Sequence, residues 1–269
     1  MKAAELLDGC ALPRLEARAL LAHVLNVARE HLIAHPDARV PATAAAAFAA
    51  LAAQRRGGVP LAYLLGRKEF YGREFRVTPA VLVPRPDTET LVDAALACLG
   101  TLSAPRVLDL GTGSGCIAVT LKLERPDAQL VATDLSAAAL DAARGNANAL
   151  GADIDFRLGD WYRALPTGAA FDLIVANPPY VAKGDPHLAE LSHEPGLALT
   201  DGGNGLHCLT AIIAGAPSHL GEDAWLVVEH GYDQADAVAG LMRAAGLRSI
   251  EAHRDGGGQL RVTRGRRPR

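Results

Sequence analysis

The segment Val107–Val119, VLDLGTGSGCIAV, constrains the fold more than any other part of the chain. A short apolar run passes into Gly111, Gly113 and Gly115 and then into a helical pattern. Glycine is needed where a backbone turns tightly and approaches something closely, and the N–H groups opening the next helix face the same point. Strand, glycine turn and helix make half of a βαβ unit, and the alternation continues along the chain. Strands are expected at Arg106–Leu110, Gln129–Asp134, Ile154–Gly159, Phe171–Ala176 and Ala224–Glu229, and RSIEAHRD and QLRVTRG around a glycine turn read as an antiparallel pair. The fold class is therefore α/β, a doubly wound and mostly parallel seven-stranded sheet finished by a hairpin.

Upstream the pattern is different. Leu20, Leu21, Val24 and Leu25 recur at helical spacing, and the Ala-rich run Thr43–Ala53 offers only Phe48 and Leu51 as large packing residues. This predicts a small helical domain over 1–56. Gly-bounded alternation around EFYGREFRV predicts a β-hairpin linker over 57–86, after which Asp87 or Thr88 caps the helix Glu89–Cys98 and opens the domain 87–269.

Of the 269 residues, 27 are Lys or Arg and 30 are Asp or Glu, a formal charge of -3. That balance argues against a chain that lives on the phosphate backbone of nucleic acid. The basic end RVTRGRRPR reads as a solvated charge run. Cys10, Cys98, Cys116 and Cys208 form no C-x-x-C pair, so neither a zinc site nor a disulfide framework is indicated. The N-terminal apolar stretches are broken by acids and a proline, and none reaches spanning length, so a soluble cytoplasmic protein is expected.

The glycine loop suits a nucleotide-type ligand. A dinucleotide fingerprint would place glycine at Cys116, whereas D-x-G-x-G-x-G from Asp109, with Thr112 and Ser114 between the glycines, has the spacing of an S-adenosylmethionine loop. Asp134 ends the next strand, where it can take two ribose hydroxyls or share a helix cap with Ser136. One strand later, Asp160 can accept from an adenine amino group while Trp161 covers the ring face.

The apolar strand FDLIVA then runs into Asn177, Pro178, Pro179 and Tyr180. The prolines hold this tetrapeptide extended at the carboxyl end of a parallel strand, where ligands of open α/β sheets bind. The Asn177 side-chain oxygen and the Pro178 carbonyl can both accept from one NH2 group, with Tyr180 against its plane. An amide nitrogen is a poor nucleophile, and two converging acceptors help it become tetrahedral as a methyl group arrives.

With these motifs in order, the chain resembles the HemK-like protein-glutamine methyltransferases. PLAYLLGRKEFYGREFRV, PRPDTE, LDLGTGSG, GDW, NPPY and HEP all follow that family's order. The resemblance implies a class I methyltransferase fold, with S-adenosylmethionine as cofactor and S-adenosylhomocysteine as product. It also implies the glutamine of a class I peptide-chain release factor's Gly-Gly-Gln loop as acceptor. Gly111–Gly115, Asp134 and Trp161 would hold the cofactor, supported by Asp109 and Asp160, and Asn177–Tyr180 the glutamine, with Asn177 also near the cofactor. The N-terminal domain would recognise the substrate, Arg85 and Glu89 would shape the pocket, join the domains or form a structural pair, and a monomer without nucleic-acid or membrane partners is expected. An adenine methyltransferase acting on DNA, or one acting on ribosomal RNA or a ribosomal protein, is the alternative. Asn204 stands where the family commonly has aspartate, with an effect expected on loop packing. Gly257, Gly258 and Gln259 repeat the substrate tripeptide, either as a hairpin turn or as a site of self-methylation.

Overall fold

The computed structural model describes all residues 1–269. It contains two compact units, Met1–Arg67 and Lys68–Arg269. The first carries α1 (Ala3–Gly9), α2 (Arg14–Leu25), α3 (Arg29–Ala34), α4 (Ala42–Arg56) and α5 (Leu61–Leu65). Its core gathers Leu20, Leu21, Leu32 and Phe48, with Leu51, Leu61, Leu64 and Leu65 packed at the edge. The Ala-rich α4 buries only Phe48 and Ala52 completely, so a second tie between helices matters: Arg55 grips Glu16 of α2 through Nε at 2.6 Å and Nη2 at 2.9 Å.

The first unit runs on to Arg67, past the boundary expected at residue 56. α5 packs its leucines into the helical core, whereas Phe70 and Phe75 of the following hairpin, β1 (Arg67–Phe70) and β2 (Arg73–Arg76), belong to the core of the second unit. The segment 57–86 is thus divided between two cores, because its apolar residues serve different ones.

In the second unit α6 (Glu89–Leu99) leads into β3 (Arg106–Leu110), α7 (Cys116–Glu124), β4 (Gln129–Asp134), α8 (Ala137–Leu150), β5 (Asp155–Leu158) and β6 (Phe171–Ala176). There follow α9 (His187–Glu190), α10 (His207–Gly215), β7 (Leu220–Glu229), α11 (Ala235–Ala244), β8 (Arg248–Arg254) and β9 (Leu260–Arg266). The sheet has seven strands in the order β5-β4-β3-β6-β7-β9-β8, with only β9 antiparallel to its neighbours. β3 and β6 lie buried at the centre, and apolar clusters cover both faces. Strand order reverses between β3 and β6, which makes their carboxyl ends the switch point at which such sheets bind ligands.

The basic C-terminal run is not a free arm. Most of it is β9, where Arg264 pairs with Glu251, Arg266 with Asp223, and both lie over the Trp225 ring at 5.1 and 5.6 Å. Gly257, Gly258 and Gln259 form a turn between β8 and β9, in which the Gly257 and Gln259 N–H groups each donate to Asp255 Oδ1 at 2.9 Å. No helix is long and apolar enough to cross a membrane.

A buried asparagine on α8 ties the hairpin to the glycine loop. Asn146 Oδ1 accepts from the Arg76 N–H at 2.8 Å, and its Nδ2 donates to the Arg76 carbonyl at 3.0 Å and the Ser114 carbonyl at 2.8 Å. Removing it strands buried backbone groups, so Asn146→Ala should cost about 1–3 kcal/mol. Urea unfolding at unchanged m-value measures this, and a loss inside about 0.5 kcal/mol, as for an ordinary surface position, would contradict it.

Candidate active site

Parallel pairing brings the sequence motifs to one edge. Leu110 pairs with Thr133 on one side and Ala176 on the other, Asp134 with Leu158, and Ala176 with Val228. The residues that follow, Gly111, Asn177 and Glu229, therefore emerge side by side, with Asp134 and Gly159 next in line.

The loop is held from beneath. The N–H groups of Gly111 and Thr112 both donate to the Thr133 carbonyl at 2.9 Å, and the Thr112 hydroxyl donates to Asp109 Oδ2 at 2.7 Å. Asp109 is wholly buried, so it sits under the loop and would support a ligand through Thr112. Ser114 is likewise buried, its carbonyl taken by Asn146. Gly111 has φ +74°, and a Cβ there would come within 3.1 Å of the Trp161 ring, so the glycine lets the indole lie on the loop. At Gly113 a Cβ would meet nothing within 4 Å, which leaves an open cradle above it.

Asp134 Oδ2 accepts from the Gly113 N–H at 2.9 Å and Oδ1 from the Ser136 N–H at 2.8 Å, while the Ser136 hydroxyl caps α8 through the Ala139 N–H at 3.2 Å. Asp134 thus shares the turn that opens α8 with Ser136, and each of its oxygens keeps a further lone pair. Burial raises the Asp134 pKa and the backbone donors oppose the rise. Asp160 lies farther out, paired with Arg163 at 3.2 Å. An open glycine cradle, an acid with spare acceptor capacity and an indole alongside fit a ligand with vicinal hydroxyls and a flat ring.

At the end of β6, Asn177 Nδ2 donates to the Thr88 hydroxyl at 3.2 Å, and no group of the chain engages Asn177 Oδ1. Thr88 holds the cap position of α6, yet its hydroxyl makes no cap bond there. The Tyr180 hydroxyl donates to Glu229 Oε1 at 3.0 Å. Glu229 is fully buried and its Oε2 has no hydrogen-bond partner. Burial raises its pKa to about 7, against the hydrogen-bonding hydroxyls of Thr88 and Tyr180 and the charge of Arg261, with Asp87 adding to the rise. Burial and Glu229 also push the Tyr180 phenol upward, so it stays a donor.

The sequence pattern missed Glu229, although an acid ending an apolar strand was the signal used for Asp134. Of the readings open for Arg85 and Glu89, a pair between the two is not formed. Arg85 pairs with the buried Glu194 of HEP, whose other oxygen accepts from the Val83 N–H at 3.1 Å, and Glu89 accepts from the Tyr71 N–H at 2.8 Å. The Asp201–Leu206 loop lies closer to the site than its place in the chain implies. Gly205 has φ +81° and a Cβ there would overlap the Tyr180 carbonyl oxygen, which Gln234 Nε2 also reaches at 3.1 Å. Asn204 accepts from the Leu206 N–H at 3.1 Å, while Asp201 collects the N–H groups of Gly203, Gly205 and His207.

Burial lifts the carboxyls of Asp109 and Glu229 from ordinary values of 3.8 and 4.5 to about 7. Within that window the folded chain holds protons that the unfolded chain has released, so both groups make stability fall as pH rises and add no further loss above it. Asp109→Asn should make the decline between pH 5 and pH 8 shallower than in the parent. Urea titrations at the two pH values test this, and parallel declines would contradict the assignment.

The family described as "Methyltransferase small domain" matches residues 92–206, and the "PrmC N-terminal domain" matches residues 1–66. The release factor glutamine methyltransferase of Bordetella pertussis is 52% identical, covering 97% of this chain and 97% of its own. Its counterpart in Burkholderia pseudomallei is 48% identical over 99% and 96% of the two chains. A methyltransferase structure from Pyrococcus furiosus shares the fold with a TM-score of 0.58 at 15% identity, covering 81% of this chain and 100% of that one. With identity of this order along nearly the whole length, the chain belongs to the release factor glutamine methyltransferase family.

Proposed function

We propose that this chain transfers a methyl group from S-adenosylmethionine to the side-chain amide nitrogen of the glutamine in the Gly-Gly-Gln loop of class I peptide-chain release factors. The observation that carries the reading is the pairing of β3 with β6, which sets Asn177 beside the glycine loop. A methyl donor and an amide acceptor would have to meet there.

S-adenosylmethionine, when bound, supplies a methyl group on a positively charged sulfur. Gly111–Gly115 would cradle it, Asp134 would accept from its ribose hydroxyls, and Trp161 would cover its base, with Asp160 at the outer rim. Asn177 Oδ1 and the Pro178 carbonyl accept from the two amide hydrogens of the glutamine, while Pro179 keeps the segment extended and Tyr180 walls the plane. Both acceptors favour the nitrogen more as it gains positive character, so they stabilise the transition state more than the ground state. The sulfonium would supply the methyl group to the amide nitrogen and leave as a neutral thioether, and the alkylated nitrogen would shed one proton to water. The helical unit Met1–Arg67 is assigned to recognition of the release factor, and such a substrate places the reaction in the cytoplasm.

Asn177→Ala should lower kcat by about 10²–10³-fold, as expected for losing one transition-state acceptor. Cofactor affinity, measured by calorimetry, should stay nearly unchanged, and Asp134→Ala should show the opposite split. Equal loss of turnover and cofactor binding in Asn177→Ala would contradict this division of roles.

A further inference from the structure

The segment Asn177–Tyr180 lacks the usual means of being held. β6 stops pairing with β3 and β7 at Ala176, and Pro178 and Pro179 have no N–H to donate. A backbone beyond the ladder must be fixed through its carbonyls and side chains. Past Asn177, whose side chain reaches Thr88, the next ties fall on Tyr180.

Tyr180 is held at two ends. Its hydroxyl donates to Glu229 Oε1 at 3.0 Å, and its carbonyl accepts from Gln234 Nε2 at 3.1 Å. The Gln234 amide is itself locked, because Oε1 accepts from the Gly231 N–H at 2.8 Å while Nε2 also reaches the Gly205 carbonyl at 3.3 Å. An N–H only donates and a carbonyl only accepts, so one orientation of this amide serves all three groups and the reverse serves none. Gly205 leaves no slack, since a Cβ there would overlap the Tyr180 carbonyl oxygen and come within 2.9 Å of Gln234 Nε2. Gln234 stands at the cap position of α11 but its side chain makes no cap bond, so helix initiation does not account for it.

We propose that Gln234 is a positioning residue for the reaction, holding the Tyr180 carbonyl while Glu229 holds the hydroxyl, and so fixing the ring against which the acceptor amide lies. The proposal rests on the reading of Asn177–Tyr180 given above. Gln234→Met keeps the length of the side chain but donates nothing. Gln234→Glu keeps the acceptor for Gly231 and turns a second acceptor toward two carbonyl oxygens.

The test uses purified class I release factor and labelled S-adenosylmethionine. Gln234→Met and Gln234→Glu should each lose kcat about tenfold to a hundredfold, the scale of a misplaced positioning group. Cofactor affinity, KM for the factor and Tm should stay at parent values. Tyr180→Ala should lose turnover on its own, and adding Gln234→Met to it should cost nothing further, because no ring is left to aim. A purely structural role would instead lower kcat equally in both backgrounds. Equal losses in both backgrounds, losses that follow Tm, or parental kcat in both Gln234 variants would overturn the proposal. If Gln234→Met lowers Tm, Gln234→Glu decides, since it retains the Gly231 bond. An impaired Tyr180→Ala beside fully active Gln234 variants overturns the clamp alone. A fully active Tyr180→Ala overturns the reading of the tyrosine and the clamp with it.

Discussion

The structure depends on the register of β3, β6 and β7. Their carboxyl ends finish level, so a glycine loop, an asparagine and a buried acid that are far apart in sequence stand next to one another. A slip of one residue would turn every side chain on the moved strand to the opposite face. The apolar residues of β6 pack into clusters on both faces, which makes such a slip costly. Core packing thus sets the site's geometry.

The same edge concentrates charge. Asp109, Asp134 and Glu229 lie at the ends of three strands, and burial raises the pKa of each. Acids held this way cost the fold stability as they ionise. Asp109 supports the loop from below, Asp134 ties it to α8, and Glu229 holds the tyrosine. Each uses burial for a different purpose.

Much of this was legible in the sequence. The strands β3, β4 and β6 carry dense apolar runs bounded by glycine, acid or proline, and their expected limits match the structure. β7 begins earlier than expected because Leu220 joins the core although Gly221, Glu222 and Asp223 interrupt the pattern. What stayed hidden were long-range partners. Nothing local in PRPDTE indicates that Arg85 meets Glu194 or that Thr88 meets Asn177, residues more than eighty positions away. Glu229 was equally silent, since an acid at a strand end gains meaning only from the strand beside it. Pattern reads elements well, and pairings across a sheet require the topology.

The central claim is that the acceptors at the end of β6 present a glutamine side-chain nitrogen to a methyl donor held by the glycine loop. The most direct measurement is peptide mapping by mass spectrometry of a class I release factor after incubation with this protein and S-adenosylmethionine. A second arm uses the same factor carrying Gln→Ala in its Gly-Gly-Gln loop, and a third a duplex DNA. The account predicts one added methyl group on that glutamine, none on the substituted factor and none on DNA. Methylation of DNA with an unmodified release factor would contradict it, moving the acceptor to adenine while leaving the cofactor site and fold as described.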